Sequence, residues 1–182
     1  MPIYTVFAGV NGAGKSTLYS TLLQENHDFG VRVNSDEIVI SNGGDWRNKS
    51  DQAKAMKMAV KLIKDCMNKG ISFNQETTLT GKSMINNILK AKRLGYKIIM
   101  NYVGLSSPEL AIQRVAHRVS MGGHGIPEED IKRRYYVSLS KLKELMSLID
   151  VLYIYDNSKH MNLVAKTIAG YCTLLDTDCL WL

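Results

Sequence analysis

The sequence predicts an α/β fold whose core is a parallel sheet of five strands with helices on both faces. Three observations favour this fold. Short apolar runs rich in β-branched residues alternate along the chain with longer segments in which apolar residues recur every three or four positions. Strands that alternate with helices in this way form parallel sheets, because each helix carries the chain back across the sheet. A glycine-rich loop after the first strand indicates where such a sheet binds a ligand.

The elements follow one another in a regular order. Ile3–Ala8 is apolar and β-branched enough for a buried strand, and residues 15–25 have a composition that suits a helix. In the long helix predicted at 50–68, apolar side chains are spaced three and four apart, and Gly70 ends this helix as a left-handed cap. The remaining strands are predicted at 31–34, 71–75, within 96–105 and at 151–155, and the remaining helices at 83–94 and 165–174, with two basic helices within 110–136.

The glycine-rich loop carries the strongest chemical signal in the chain. Residues 9–16 match the phosphate-binding pattern G-x-x-x-x-G-K-[ST], with a predicted strand before them and a helix after them, which is the context that the pattern requires. Backbone N–H groups in such a loop surround phosphate, Lys15 reaches the β- and γ-phosphates, and the Ser16 hydroxyl binds Mg²⁺. The sequence therefore predicts ATP and Mg²⁺ as cofactors. The predicted nucleotide contacts in the loop are Gly9, Asn11, Gly12, Ala13, Gly14, Lys15, Ser16 and Thr17.

Composition limits the other possibilities. The chain has 182 residues, 45% of them hydrophobic and 22% charged, as expected for one globular domain spanning residues 1–182. Apolar runs are too short for a membrane span, and the first residues do not resemble a signal peptide. Three cysteines without metal-binding spacing fit a reducing cytoplasm. The net charge of +6 is moderate, so a nucleic-acid partner is not expected.

Acidic residues follow two of the predicted strands at the edge where a parallel sheet binds its ligands. Asp36 comes just after the second strand, either as the general base that accepts the proton of an acceptor hydroxyl or as the N-cap of a short helix. Glu76 follows the third strand. Because no strand shows the usual four-apolar-then-Asp pattern, Glu76 or Asp36 is expected to help hold Mg²⁺ through water or to contact the substrate.

Two basic helices joined by a glycine-rich loop form the predicted lid, at about residues 110–136. Arg114 and Arg118 lie four residues apart and share a helix face, where a bound anion would offset their repulsion. The helix after Pro127 carries Lys132, Arg133 and Arg134, and arginine suits the charge on a transferring phosphoryl group. A solvated basic face is the alternative interpretation. His124, in the glycine-rich loop, is a lid contact, a proton carrier or an exposed residue.

Together these motifs resemble the zeta-toxin family of P-loop kinases, in a short form. The resemblance covers residues 3 to about 142 and rests on the phosphate loop, on Asn34-Ser35-Asp36, on Gln75-Glu76-Thr77-Thr78 and on the arginine lid with its Gly-Gly-His sequence. It implies an ATP- and Mg²⁺-dependent kinase. The best-known members phosphorylate the 3′-hydroxyl of UDP-N-acetylglucosamine as the toxin of a toxin–antitoxin pair. A nucleotide-sugar acceptor and an antitoxin protein are thus the implied partners.

The resemblance also implies roles for individual residues. Lys15 and Ser16 match the phosphate and magnesium positions, and Asp36 matches the general base. Glu76 and Thr77 fall where the family contacts its substrate, and the lid arginines on the phosphates are matched by Arg118 with Arg133 or Arg134. Residues 42–49 do not align with the family motifs named above, and the sequence lacks the long C-terminal extension of the larger toxins.

Two other functions remain open at this stage. One is a kinase of the same fold with another acceptor, such as a nucleoside, an antibiotic or a polynucleotide end. The other is a switch or motor that hydrolyses ATP without transferring phosphate to a metabolite. A switch is expected to carry a Walker-B aspartate and a γ-phosphate-sensing loop, and the sequence shows neither, so it favours the kinase.

Overall fold

A seven-stranded sheet forms the centre of the structure, a computed structural model that describes residues 1–81, 83–168, 170–176, 179 and 181. Six α-helices lie in the described part of the chain, and a 3-10 turn at Met146–Leu148 follows the last of them. The elements are β1 Ile3–Ala8, α1 Lys15–Gln24, β2 Val31–Val33, α2 Ser35–Ser41, α3 Lys49–Lys69, β3 Phe73–Thr77, α4 Ser83–Arg93, β4 Lys97–Gly104, α5 Pro108–Ser120, α6 Glu128–Leu145, β5 Val151–Asp156, β6 Asn162–Ile168 and β7 Tyr171–Leu174.

The strand order in the sheet is β2-β3-β1-β4-β5-β6-β7. The first five strands in this order pair in parallel, which confirms the predicted parallel core. The last two add an antiparallel hairpin to β5, so the whole sheet is mixed rather than purely parallel. In β1, the central parallel strand, Phe7 pairs with Glu76 and Ala8 pairs with Thr77. The chain leaves β1 at its carboxyl end directly into the glycine-rich loop.

The helix predicted at 165–174 is wrong. Most of that segment lies in β6 and β7, which pair as a hairpin, and Ala169 lies outside the described residues. Gly170, in the connection, has a φ of 84°, a left-handed conformation that suits glycine in a tight turn. In β6 the side chains of Val164, Ala165 and Thr167 are buried. The segment is a strand because the open edge of β5 offers it partners, and local composition does not reveal that edge.

Helices cover both faces of the sheet, as the alternation predicted. Tyr4, Val6 and Ala8 of β1 belong to one buried cluster, which includes residues of α3 and α4. Phe7, on the opposite face, belongs to a second cluster with residues of α1 and α5. Helix α6 contributes to both clusters. Among the described residues no helix is both long and apolar enough to cross a bilayer.

Local signals explain where several helices begin and end. Ser107 caps α5 by accepting a hydrogen bond from the Leu110 N–H, and Pro108 occupies the first turn. Gly70 ends α3 with a left-handed φ of 63°, as predicted. The assignment of the whole chain to a single domain stays a prediction, as does the role of residues 110–136 as a lid.

Candidate active site

The phosphate loop has the backbone geometry that its sequence predicts. Gly9, Gly12 and Gly14 all have positive φ, at 140°, 79° and 100°. A Cβ at Gly9 would lie 2.2 Å from the Val103 carbonyl oxygen, so this position also requires glycine for close approach to β4. Gly14 precedes the first turn of α1 and has no side chain with which to cap it. The N–H groups of that turn therefore remain available to an anion.

Lys15 lies under the loop. Its side chain is buried, with the residue 8% exposed, and its Nζ donates a hydrogen bond to the Val10 carbonyl oxygen at 3.1 Å. Burial lowers the pKa of this amine, and Arg118 and Arg134 lower it further, while Glu76 and Asp36 act in the opposite direction. The four charged groups that affect this pKa belong to four different elements, β3, α2, α5 and α6. All four elements therefore direct charge toward the phosphate loop.

Glu76 lies beside the hydroxyl that is expected to bind magnesium. Its two carboxylate oxygens accept hydrogen bonds from Ser16 Oγ at 2.9 and 3.0 Å. The pairing of Glu76 with Phe7 explains this contact, because it sets the carboxylate next to the point where the loop leaves β1. A hydroxyl and a carboxylate are hard oxygen ligands of the kind that Mg²⁺ prefers. The pair therefore fits a magnesium site.

Arg32 holds Glu76 in place, a role that the sequence did not reveal. Its guanidinium donates to Glu76 Oε2 at 2.6 Å, to Glu37 Oε1 at 2.8 Å and to Asn74 Oδ1 at 3.0 Å. The same guanidinium lies 3.8 Å from the centre of the Tyr19 ring. The Arg32 and Glu76 side chains are only 15% and 14% exposed, so the pair is shielded from water. A strand of three residues gives no local sign that its arginine pairs across the sheet.

Asn34 connects the two acidic residues of the site. Its Oδ1 accepts a hydrogen bond from the Asp36 N–H at 3.0 Å, which makes Asn34 the N-cap of α2. Its Nδ2 donates to Glu76 and Glu37. The alternative that Asp36 caps this helix is therefore wrong. Asp36 lies in the first turn with an exposed side chain, and its charge reaches both Lys15 and His124.

The four candidate arginines differ in where they point. Arg134 NH1 donates to Asn11 Oδ1 in the phosphate loop at 3.1 Å. Arg133, its neighbour on α6, pairs with Asp130 at 2.8 Å on an exposed face and is not brought to the loop. Arg118 donates through Nε and NH2 to the carbonyl oxygen of His124. Arg114 has its Cβ beside Gly12, but its guanidinium donates to the Ser158 carbonyl oxygen at 3.3 Å.

The remaining candidate residues, Thr77, Thr17 and Ala13, differ in their burial and in their hydrogen bonds. The Thr77 hydroxyl accepts a hydrogen bond from the Leu79 N–H and so supports the turn after β3. Thr17 is exposed in the first turn of α1. Ala13 is buried, and its carbonyl oxygen accepts a hydrogen bond from Asn157 Nδ2 at 2.8 Å. Asn157, which follows β5, thus contacts the phosphate loop, and no motif in the sequence indicates this contact.

A phosphate loop after the central parallel strand, a buried lysine beneath it, and arginines from two following helices define a P-loop nucleotide-binding protein of the kinase type. Residues 1–168 match the model of the zeta toxin family. The chain therefore belongs to the zeta toxin family.

Similar proteins include a relative in sequence and two solved structures with a similar fold. An uncharacterised protein of Haemophilus influenzae is 34% identical over 130 residues, which cover 71% of this chain and 89% of that protein. A structure from the PezAT chromosomal toxin–antitoxin system of Streptococcus pneumoniae superposes with a TM-score of 0.69 and 18% identity, covering 88% of this chain and 71% of the other. A structure of AvrRxo1-ORF1:-ORF2 with ATP gives a TM-score of 0.75 and 15% identity, and this chain spans 63% of that one. At these identities the two structures show a shared fold.

Proposed function

We propose that this protein is a kinase that transfers the γ-phosphoryl group of ATP to a hydroxyl of a small molecule. The observation that carries the proposal is the set of contacts at the phosphate loop. Glu76, at the end of β3, accepts hydrogen bonds from Ser16, and Arg134, on α6, donates one to Asn11. The charges of Asp36 on α2 and Arg118 on α5 also act on the buried Lys15 amine. This arrangement joins the three parts that phosphoryl transfer needs: a phosphate cradle, a carboxylate for the acceptor, and cations for the transition state.

The phosphate loop and Lys15 would bind the triphosphate. The Lys15 amine donates to its own loop at Val10, and the β- and γ-phosphate oxygens would supply a stronger, charged acceptor. Ser16 and Glu76 would hold Mg²⁺, which supplies positive charge against the phosphate oxygens. Arg32 and Asn34 would keep Glu76 oriented toward Ser16, since both donate to its Oε2 atom.

Asp36 would orient the acceptor hydroxyl and accept its proton. The carboxylate is exposed at the carboxyl edge of the sheet, and Asn34 fixes its backbone through the helix cap. Arg118 and Arg134 would stabilise the charge on the transferring group. Glu76 and Thr77 would border the acceptor at the end of β3. Arg114 would complete the nucleotide side of the site, since it lies next to Gly12.

The proposed identity of the acceptor rests on family membership more than on the geometry of the site. UDP-N-acetylglucosamine is the first candidate, and with it a role as the toxin of a toxin–antitoxin pair. One of the similar structures comes from a toxin–antitoxin system, which supports an antitoxin partner for this chain as well. The alternative acceptors are a nucleoside, an antibiotic or a polynucleotide end, all of which use the same donor chemistry.

The test is phosphoryl transfer by the purified protein. ATP, Mg²⁺ and a panel of acceptors are incubated with the wild type and with Lys15→Ala, and products are followed by ³¹P NMR and mass spectrometry. Phosphorylated UDP-N-acetylglucosamine, formed by the wild type only, is the expected result. Transfer to another acceptor in the panel would keep the kinase and replace the acceptor. Release of inorganic phosphate without a phosphorylated acceptor would contradict the kinase in favour of an ATPase.

A further inference from the structure

Trp46 lies in residues 42–48, the connection between α2 and α3. The structure brings it to the lid loop of residues 121–127. The rings of Trp46 and His124 lie 4.4 Å apart, centre to centre, with their planes inclined by 50°. Gln52, on α3, donates a hydrogen bond to the Trp46 carbonyl oxygen, which fixes the backbone that carries the indole. The contact joins two loops that are about 80 residues apart in sequence.

His124 in turn holds Arg118. The His124 carbonyl oxygen accepts hydrogen bonds from Arg118 Nε at 3.0 Å and NH2 at 2.5 Å. Gly123 allows this approach, because a Cβ there would lie 2.6 Å from Arg118 Cγ. The carbonyl uses two of the five guanidinium N–H donors and leaves the others for a phosphate. The direction of Arg118 therefore depends on where residue 124 is held.

Among the described residues, none forms a hydrogen bond with the His124 imidazole that would hold it there. Its Nδ1 atom is buried and finds no hydrogen-bond partner in the part of the chain that the structure describes. Burial lowers the pKa of the imidazole, Arg118 and Arg134 lower it further, and Asp36 raises it. On the other loop, the Arg47 guanidinium lies 4.5 Å from the Trp46 ring centre. The imidazole ring is therefore retained by its contact with Trp46.

We propose that Trp46 is a positioning residue that holds Arg118 in the direction needed for phosphoryl transfer, acting through His124. The inference rests on the proposed kinase function. Three glycines lie between Met121 and Ile126, and such a loop has high conformational freedom. A large aromatic contact reduces that freedom at the residue whose carbonyl directs the arginine. The connection of residues 42–48 therefore contributes to catalysis without touching ATP.

A double-mutant cycle on transfer rate tests this role. Trp46→Ala should lower kcat by about tenfold and leave the KM for ATP nearly unchanged, because misplacing a catalytic group costs rate more than binding. In an Arg118→Ala background the same substitution should lower kcat by less than about twofold, because the arginine that Trp46 positions is absent. Arg133→Ala is the matched background, where the full tenfold loss should return. Trp46→Phe should restore most of the rate. Equal losses in all backgrounds, or no loss, would overturn the proposal.

A second measurement does not depend on activity. The chain has two tryptophans, so a Trp181→Phe protein carries Trp46 as its single indole fluorophore. If the contact is coupled to Arg118, Arg118→Ala should increase the quenching of Trp46 fluorescence by acrylamide, while Arg133→Ala should leave it unchanged. Equal quenching in the Trp181→Phe protein and in its Arg118→Ala and Arg133→Ala variants would overturn the coupling. A wild type without any transfer activity would contradict the proposed function instead, and the quenching result would then decide the positioning role alone.

Discussion

Replacing Arg32 by Gln is expected to lower the free energy of unfolding by about 3.5–4 kcal/mol. Removing one partner of a buried ion pair costs about 3–5 kcal/mol, because the remaining charge stays buried without compensation. Both side chains are well shielded here, at 15% and 14% exposed. Glu76 keeps hydrogen bonds from Asn34 and Ser16, which places the loss at the lower end of that range. The contact with the Tyr19 ring adds about 0.5–1 kcal/mol to the loss.

Urea denaturation at neutral pH measures this change, and Arg47→Gln is the control. Arg47 is also an arginine over an aromatic ring, but its side chain is 69% exposed and its acidic partner lies 3.8 Å away. Its replacement should change the free energy of unfolding by less than about 0.5 kcal/mol. A loss below about 1 kcal/mol for Arg32→Gln, or equal losses in the two variants, would refute the argument that Arg32 holds Glu76 in a shielded site.

Three further predictions follow from the charges of the site. Burial lowers the pKa of Lys15 below its ordinary 10.5, so the affinity for ATP should fall as pH rises through that lowered pKa; calorimetry that gives a constant affinity from about pH 7 to 10 would contradict this. Arg134→Ala should lower kcat by ~10²-fold or more, while Arg133→Ala, on the exposed face, should stay within about twofold; similar losses would show that the orientation of Arg134 toward Asn11 is irrelevant. Because the pKa of His124 is lowered from 6.5 in the folded state, the unfolded state binds more protons just below pH 6.5, and stability should fall as pH drops through that window; thermal melts of His124→Gln should lose this part of the pH dependence.

The parallel half of the fold could be predicted because its signals are local. The phosphate-loop pattern between Ile3–Ala8 and the first helix places the strand, loop and helix together, and the structure confirms all three. The C-terminal hairpin could not be predicted in this way. Leu, Ala and Lys in residues 162–168 are compatible with a helix, and the choice depends on pairing with β5, which is a property of the folded sheet.

The residues of the site also differ in whether local sequence patterns identify them. Lys15, Asp36 and Glu76 are found from sequence because each directly follows a strand or completes a pattern, and the structure brings their charges together. The arginine on β2 and the tryptophan of residues 42–48 act through contacts that span 44 and 78 residues of sequence. Sequence patterns relate residues a few positions apart, so they do not predict contacts at these sequence separations. The sequence likewise does not distinguish Arg133 from Arg134, whose side chains point to different partners on α6.

The central claim is that Asp36 acts on the acceptor and not on ATP, and the Asp36→Asn variant tests it most directly. Asparagine keeps the size of the side chain and removes its ability to take a proton. Asn34, not Asp36, caps α2, so the fold should tolerate the change. We expect wild-type melting and ATP affinity, with phosphoryl transfer lowered by ~10²-fold or more. Glu25→Gln, an exposed carboxylate at the far end of α1, should leave all three quantities unchanged. An Asp36→Asn protein that transfers phosphate at the wild-type rate would contradict the account.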